Sequence, residues 1–358
     1  MSVAVVFGGP SPEHDISILT GLQAARTLSE AGVPAEGLYW AKSGSWHAVD
    51  VGLEATDFVE GVPRKARDVQ LVAAPGGGFV GRRRPLDIDV VLNCCHGGPG
   101  EDGTLQGVFE LVGLRATGPG MVGASLGMDK LAFAAVAGSA GMPVLTRLHL
   151  TPATEPDFAP PFIVKPRFGG SSIGVEVVAD LDAARALLRV SPHLAGGAVI
   201  EAFLEGGSDL EIGVRTFPEL QLSAIRAPER SGDAIYTYSE KYLDWGGQAN
   251  PGGGSGLAAP VEERVRGMAR QITDLLGLRS IARIDFLHRD GEVWLNEVNT
   301  IPGSLAHYLW VDPPVARDRL LLDMVEEARR DPVRRFVTTG ADGSALRSAS
   351  SIAQKLGG

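Results

Sequence analysis

Residues Val3, Ala4, Val5, Val6 and Phe7 form an unbroken apolar run closed by Gly8-Gly9. A run this short, apolar at every position and stopped by glycine, predicts a strand buried on both faces. Helical spacing of apolar residues predicts a helix over 16–30, and 37–41 predict a strand leading to the turn Ser43-Gly44-Ser45. Another buried strand is expected over 89–95, then a glycine-rich loop and a helix over 104–112. This order of strand, helix, strand, loop and helix implies a mostly parallel sheet with helices on both faces.

Glycines gather over 117–127, which marks a junction. A helix over 129–140 then stops at Gly141-Met142-Pro143, and strands over 162–165 and 198–203 flank a helix over 181–188. That middle unit has the size of a small α+β lid. The last unit carries strands over 211–217, 221–226, 280–287 and 292–298, with a helix over 261–276. The expected domains are 1–117, 118–204 and 205–335, with 336–358, rich in Ser, Gly, Ala and Thr, as a mobile tail.

Composition narrows the function. A chain of 358 residues, 44% hydrophobic and 21% charged, is an ordinary globular protein long enough for two or three domains. A net charge of −10 argues against nucleic acid or an anionic membrane as partner. The two cysteines, Cys94 and Cys95, are adjacent and offer neither a disulfide framework nor a spaced metal site. The opening apolar run is too short for a secretory signal, and no stretch approaches the ~20 residues of a membrane span, so a cytoplasmic location is expected. Only six of the 33 basic residues are lysines (Lys42, Lys65, Lys130, Lys165, Lys241 and Lys355), so each lysine is a candidate for a site needing a compact point charge.

Two runs, Gly98-Pro99-Gly100-Glu101-Asp102-Gly103 and 118–123, fit the dinucleotide-binding glycine pattern. The first would set two acids against a pyrophosphate and the second follows no convincing strand, so a dehydrogenase is disfavoured. No P-loop pattern occurs. On the two C-terminal strands, Arg283 and Asp285 share a face, as do Glu297 and Asn299, because strand residues two apart point the same way. With a three-residue turn at 289–291, Arg283 stands opposite Glu297 and all four polar groups meet. Two carboxylates and an amide oxygen suit Mg²⁺, although an ion-pair cluster explains them equally well. Lys165 followed by the loop Gly169-Gly170-Ser171-Ser172 is a strand, a lysine and a set of phosphate-binding donors, or else a plain turn. Lys130 opens a helix, and Lys241 precedes a long glycine-rich loop. Glu13, after the first strand, is placed to bind an ammonium group or to sit beside a helix cap. His96 ends a strand at the same sheet edge and reads more readily as a satisfied structural histidine.

In order along residues 3–309, the chain resembles the D-alanine–D-alanine ligase family of the ATP-grasp superfamily. The matching signatures are Gly8-Gly9-Pro10-Ser11-Pro12-Glu13-His14, His96-Gly97-Gly98-Pro99-Gly100-Glu101-Asp102-Gly103, Met128-Asp129-Lys130, Lys165-Pro166 with 170–174, Glu240-Lys241-Tyr242, Arg283-Ile284-Asp285, and Glu297-Val298-Asn299-Thr300 with Pro302-Gly303. The resemblance implies a three-domain fold of α/β and α+β parts and the joining of two D-alanines through an acyl phosphate for peptidoglycan synthesis. It implies that Lys130, Lys165, Lys241 and Ser172 meet ATP phosphates, and that Glu201, Phe203, Leu204 and Asp209 line the adenosine. Asp285, Glu297 and Asn299 would hold two Mg²⁺ ions, replaceable by Mn²⁺. Glu13, Ser171 and Tyr242 would orient the first amino acid, Arg283 and the Gly303 N–H would stabilise an oxyanion, and His96 would lie near substrate. The partners implied are small molecules, with a homodimer allowed. One departure bears on the acceptor: where the family usually has a serine for its carboxylate this chain has Tyr308, leaving Tyr308 and Ser304 as candidates. The alternative is the same chemistry with another acceptor: a D-hydroxy acid, D-serine or a specialised amino acid.

Overall fold

The computed structural model of the chain describes residues 2–82, 84–228, 255–349 and 351–352. The expected contacts of Lys241 and Tyr242, and most of the glycine-rich loop after them, lie outside the described residues.

The first sheet is built from β1 (Val3–Gly8), β2 (Ala35–Trp40), β3 (Trp46–Val49), β4 (Arg67–Val72), β5 (Gly78–Gly81), β6 (Arg84–Pro85), β7 (Val90–Asn93) and β8 (Arg115–Ala116), in the order β6-β5-β4-β3-β2-β1-β7-β8. Strands β2, β1, β7 and β8 are parallel, as expected. The other four are antiparallel, so the sheet is mixed rather than mostly parallel. The connections explain the difference. Residues 41–45 join β2 to β3 and are too few for a crossover helix, so the chain must double back.

Both faces of β1 are buried. Val3, Val5 and Phe7 pack on α1 (His14–Glu30), while Ala4 and Val6 share a core with Leu105 and Phe109 of α3 (Thr104–Val112). Between them lies the single-turn helix α2 (Gly98–Glu101). Next come α4 (Met121–Met128) and α5 (Lys130–Ser139), whose first turn is capped by the Asp129 carboxylate, which accepts from Leu131 N and Ala132 N.

The middle sheet has β9 (Arg147–His149), β10 (Phe162–Pro166), β11 (Glu176–Val178) and β12 (Ala198–Ala202), covered on one face by α6 (Leu181–Val190). The third sheet has β13 (Ser208–Arg215), β14 (Gln221–Arg226), β15 (Ile281–Arg289) and β16 (Glu292–Asn299), all antiparallel. Ile212, Ile284, Phe286 and Leu295 pack beneath it against α7 (Ala259–Leu276), which leaves the alternate residues on the opposite face.

The last long helix, α8 (Arg317–Arg330), departs from expectation. It lies within 205–335, the expected third unit, but Leu320, Leu321, Met324, Val325 and Ala328 are buried in the first core beside Val90, Leu92 and Leu28. Its apolar stripe packs there beside α1, over β7 and β8. Among the described residues no helix is long and apolar enough to cross a membrane.

Candidate active site

The polar face of the third sheet carries a row of charged side chains set by strand register. Arg226 lies opposite Glu211, Glu211 opposite Asp285, and Asp285 opposite Glu297. The turn between β15 and β16 is two residues long, Asp290-Gly291, both at positive φ. Phe286 therefore faces Leu295, and a bulge at Asn296 brings Glu297 opposite Asp285 and Asn299 opposite Arg283. The anticipated three-residue turn had placed Glu297 opposite Arg283, so the shared face holds while the register differs.

Arg283 donates two hydrogen bonds to Asp285, at 2.7 and 2.8 Å, and Asn299 donates a third at 3.0 Å. Burial raises the Asp285 pKa to about 6, against the opposing pull of Arg283. Arg283 is held protonated, because its neighbours Asp285, Tyr308 and Glu211 outweigh its burial. Asp285 and Glu297 line a cleft of about 930 Å³ together with Lys130, Lys165, Ser172, Glu201, Phe203, Leu204, Asp209 and Glu211. Lys130 lies 3.5 Å from Glu297 and donates to the Gly169 carbonyl at 2.6 Å.

Lys165 on β10 and Arg147 on β9 flank Glu201 on β12, at 3.1 and 2.8 Å. Burial alone would raise the Glu201 pKa, but Arg147 and Lys165 outweigh it and hold the carboxylate ionised. Burial lowers the Lys165 pKa, with Glu201 opposing.

A second cavity, of about 420 Å³, adjoins the first and shares Lys130, Gly169, Gly170 and Glu297 with it. Its own walls include Glu13, His96, Glu101, Arg283, Asn299 and Gly303. Glu13 precedes α1, is 7% exposed, and accepts a short hydrogen bond from Ser171 Oγ. Its carboxylate lies where a side chain on Gly97 would go: a Cβ there would meet Glu13 Oε2 at 2.3 Å, and Gly97 has φ +64. Glycine at 97 is thus required both by space and by conformation.

The His96 ring is fully engaged. Its Nδ1 donates to the Ile301 carbonyl at 2.5 Å, which leaves Nε2 to accept from Thr20 Oγ1 at 2.8 Å. Burial lowers its pKa to about 4. Since Thr20 Oγ1 also accepts from Ser304 N at 3.3 Å, His96 and Thr20 clamp both ends of the Ile301–Ser304 turn. The ring thus acts through the turn that carries Gly303, and both its nitrogens are occupied. Glu101, part of the second matching signature but given no role by the resemblance, accepts from Gly97 N at 2.8 Å and Ile301 N at 2.9 Å. Burial, then the charge of Glu13, pushes its pKa up to about 7.

Neither acceptor-end candidate lines the second cavity. Ser304 has φ +48 and lines a separate pocket with Gln23, His307 and Arg317. The Tyr308 hydroxyl accepts from Arg283 at 3.2 Å and donates to Glu211 at 3.4 Å, while the Arg226 guanidinium lies over its ring at 5.2 Å. Glu211 and Arg147 are further site neighbours that no motif marked. The alternation of Asp209 with Glu211 on one strand was a usable signal for the first, and the sequence held none for the second.

The donor set of Asp285, Glu297 and Asn299 fits a hard divalent cation completed by phosphate oxygens. Among the described residues there is no cluster of three or more His, Cys, Asp or Glu that would make an all-protein cage.

Family models described as D-ala D-ala ligase N-terminus and C-terminus match residues 2–119 and 124–312. A D-alanine–D-alanine ligase from Mycolicibacterium vanbaalenii is 32% identical over 364 aligned positions, covering 91% of this chain and 96% of that protein. One from Nitratiruptor sp. is 31% identical, covering 87% and 90%. Among solved structures, D-alanine–D-alanine ligase from Helicobacter pylori is 26% identical with a TM-score of 0.71, covering 93% of this chain and 100% of that one. The VanG D-Ala:D-Ser ligase from Enterococcus faecalis has a TM-score of 0.76 over 91% and 99% of the two chains; at 24% identity this is a likeness of fold.

Proposed function

Because the chain belongs to the D-alanine–D-alanine ligase family, we propose that it is an ATP-grasp enzyme that uses ATP to join two D-alanines for peptidoglycan synthesis in the cytoplasm. The observation that carries the reading is the pair of adjoining cavities. The larger has the lysines, the carboxylates and the apolar wall that a nucleotide needs. The smaller has an acid for an ammonium group beside Arg283 and Gly303.

A carboxylate is a poor electrophile, so one D-alanine oxygen first attacks the γ-phosphorus of ATP, the bond to the bridging oxygen breaks, and ADP leaves an acyl phosphate behind. Lys130 and Lys165 neutralise charge as the phosphoryl group moves, with Lys241 assigned the same role. Asp285, Glu297 and Asn299 would hold Mg²⁺, whose chemistry is to neutralise the phosphate oxygens. Glu13, fixed by Ser171, binds the ammonium of the first D-alanine. The second amine then attacks the acyl phosphate, Arg283 with the Gly303 N–H meets the oxyanion as it forms, and collapse to the amide expels inorganic phosphate while the amine gives up a proton.

Tyr308 favours a second reading in which the same machinery takes another acceptor, since its hydroxyl is already engaged by Arg283 and Glu211. A pairwise screen decides between them. D-alanine is offered with D-alanine, D-serine or D-lactate in the presence of ATP, and phosphate release is measured beside product mass. D-alanyl-D-alanine as the main product supports the primary reading; preference for another acceptor replaces it.

A further inference from the structure

Arg147 touches neither cavity, yet it holds three residues that line the larger one. Its side chain is 2% exposed. Nε donates to Glu201 at 2.8 Å, Nη1 to the Lys130 carbonyl at 3.3 Å, and Nη2 to both Asn296 O and Asn296 Oδ1, at 2.8 and 2.9 Å. These partners come from three different places. Glu201 is on the middle sheet, Lys130 opens α5, and Asn296 is the bulged residue that directly precedes Glu297. The backbone bond from Leu295 N to Pro143 O, 2.8 Å, brings the approach to β9 against the same stretch of β16.

A planar guanidinium with five fixed donors can span such a set, whereas an ammonium cannot fork in this way. Resting on the nucleotide reading above, we propose that Arg147 is a positioning residue that ties the base end of the cleft, through Glu201, to the metal end, through the Asn296 bulge. Its Nε side fixes a carboxylate facing the cleft. Its Nη2 side fixes the bulge that sets where Glu297 points. Base binding and metal use are therefore coupled through one buried side chain.

The test is calorimetric binding of ADP to the full chain with and without Mg²⁺, which needs no turnover. Arg147→Met should weaken ADP binding in both conditions by about tenfold or more, the scale of a lost charged hydrogen bond. Arg147→Lys keeps a cation for Glu201 but loses the fork to Asn296. It should bind metal-free ADP within about twofold of wild type and lose about tenfold of the gain that Mg²⁺ brings. Asn296→Ala, which leaves Arg147 and Glu201 in place, should lose part of the same Mg²⁺ gain and nothing else. Circular dichroism and thermal melts establish that each variant is folded. If Arg147→Lys and Asn296→Ala bind ADP like wild type in both conditions, or lose only melting temperature, the proposal is wrong. If Arg147→Met unfolds, the other two variants still decide. A wild type that binds no ADP and releases no phosphate would instead sink the ligase reading, and this proposal with it.

Discussion

Burial acts on His96 and Glu101, both just after β7, in opposite directions. His96, lowered from 6.5 to about 4, is neutral when folded, so its contribution to stability is present above pH 6.5 and lost as pH falls toward 4. Glu101, raised from 4.5 to about 7, contributes below pH 4.5 and loses that contribution as pH rises through 7. Each shift corresponds to roughly 3 kcal/mol at full extent, so between pH 4.5 and 6.5 the two largely offset. Melting temperature followed across pH 4.5–7.5 should therefore vary little in wild type on account of this pair. In Glu101→Gln it should fall with acidification, and in His96→Gln it should rise. A second prediction concerns Glu297. Its replacement by Gln should reduce ATP-dependent phosphate release by over about a hundredfold, as removal of a ligand charge from phosphoryl transfer implies, with the fold intact by circular dichroism. Normal Mg²⁺-dependent turnover in that variant would overturn the metal assignment. At the acceptor end, Tyr308→Phe removes a hydroxyl that both Arg283 and Glu211 use. The acceptor KM should rise about tenfold and the donor KM much less, as steady-state kinetics with each substrate varied would show. At this scale the motif residues were legible because short motifs carry side-chain chemistry with them. Arg147 and Glu211 were not, because their partners are assembled by sheet register and domain packing from distant stretches of chain.

The elements that could be read directly were the strongly periodic ones: the helix Thr104–Val112 and the strand Gln221–Arg226 fall where expected, and α1, α7 and β1 within two residues. The region 46–85 was missed because its strands are short and irregular in pattern, and Trp46–Val49 is buried at every position, so alternation gives no signal. The hairpin of β15 and β16 is a subtler case. The count of residues from the turn to Glu297 exceeds the count to Asp285 by one, and the chain absorbs the excess at Asn296. A longer turn also puts the acids on one face, so the sequence could not distinguish the two. Deleting Asn296 does distinguish them. With the two-residue turn, the deletion leaves Asp285 opposite Glu297, so phosphate release should persist, lowered about tenfold by loss of the Arg147 anchor. Were the turn three residues long and the strand regular, the same deletion would send Glu297 to the apolar face and abolish activity.

At the scale of the molecule, three sheets each cover one apolar face with a local helix, but the first also borrows α8 from the far end of the chain. Its five buried apolar side chains cover β7 and β8 beside α1, and burying a large apolar side chain contributes about 1.5–3 kcal/mol. A fragment of residues 1–117 should accordingly be protease-sensitive and lack a cooperative melt, and adding a peptide of residues 314–332 should protect it. A sharp melt of the fragment alone would show that α8 is dispensable. The arrangement also has a consequence in time. About 220 residues separate the end of β7 from the start of α8. At ribosomal speeds of roughly 5–20 residues per second, that interval lasts on the order of 10–45 s. The first sheet is thus made long before the helix that completes its core, and during that wait the apolar surface of β7 and β8 is one for chaperones to hold.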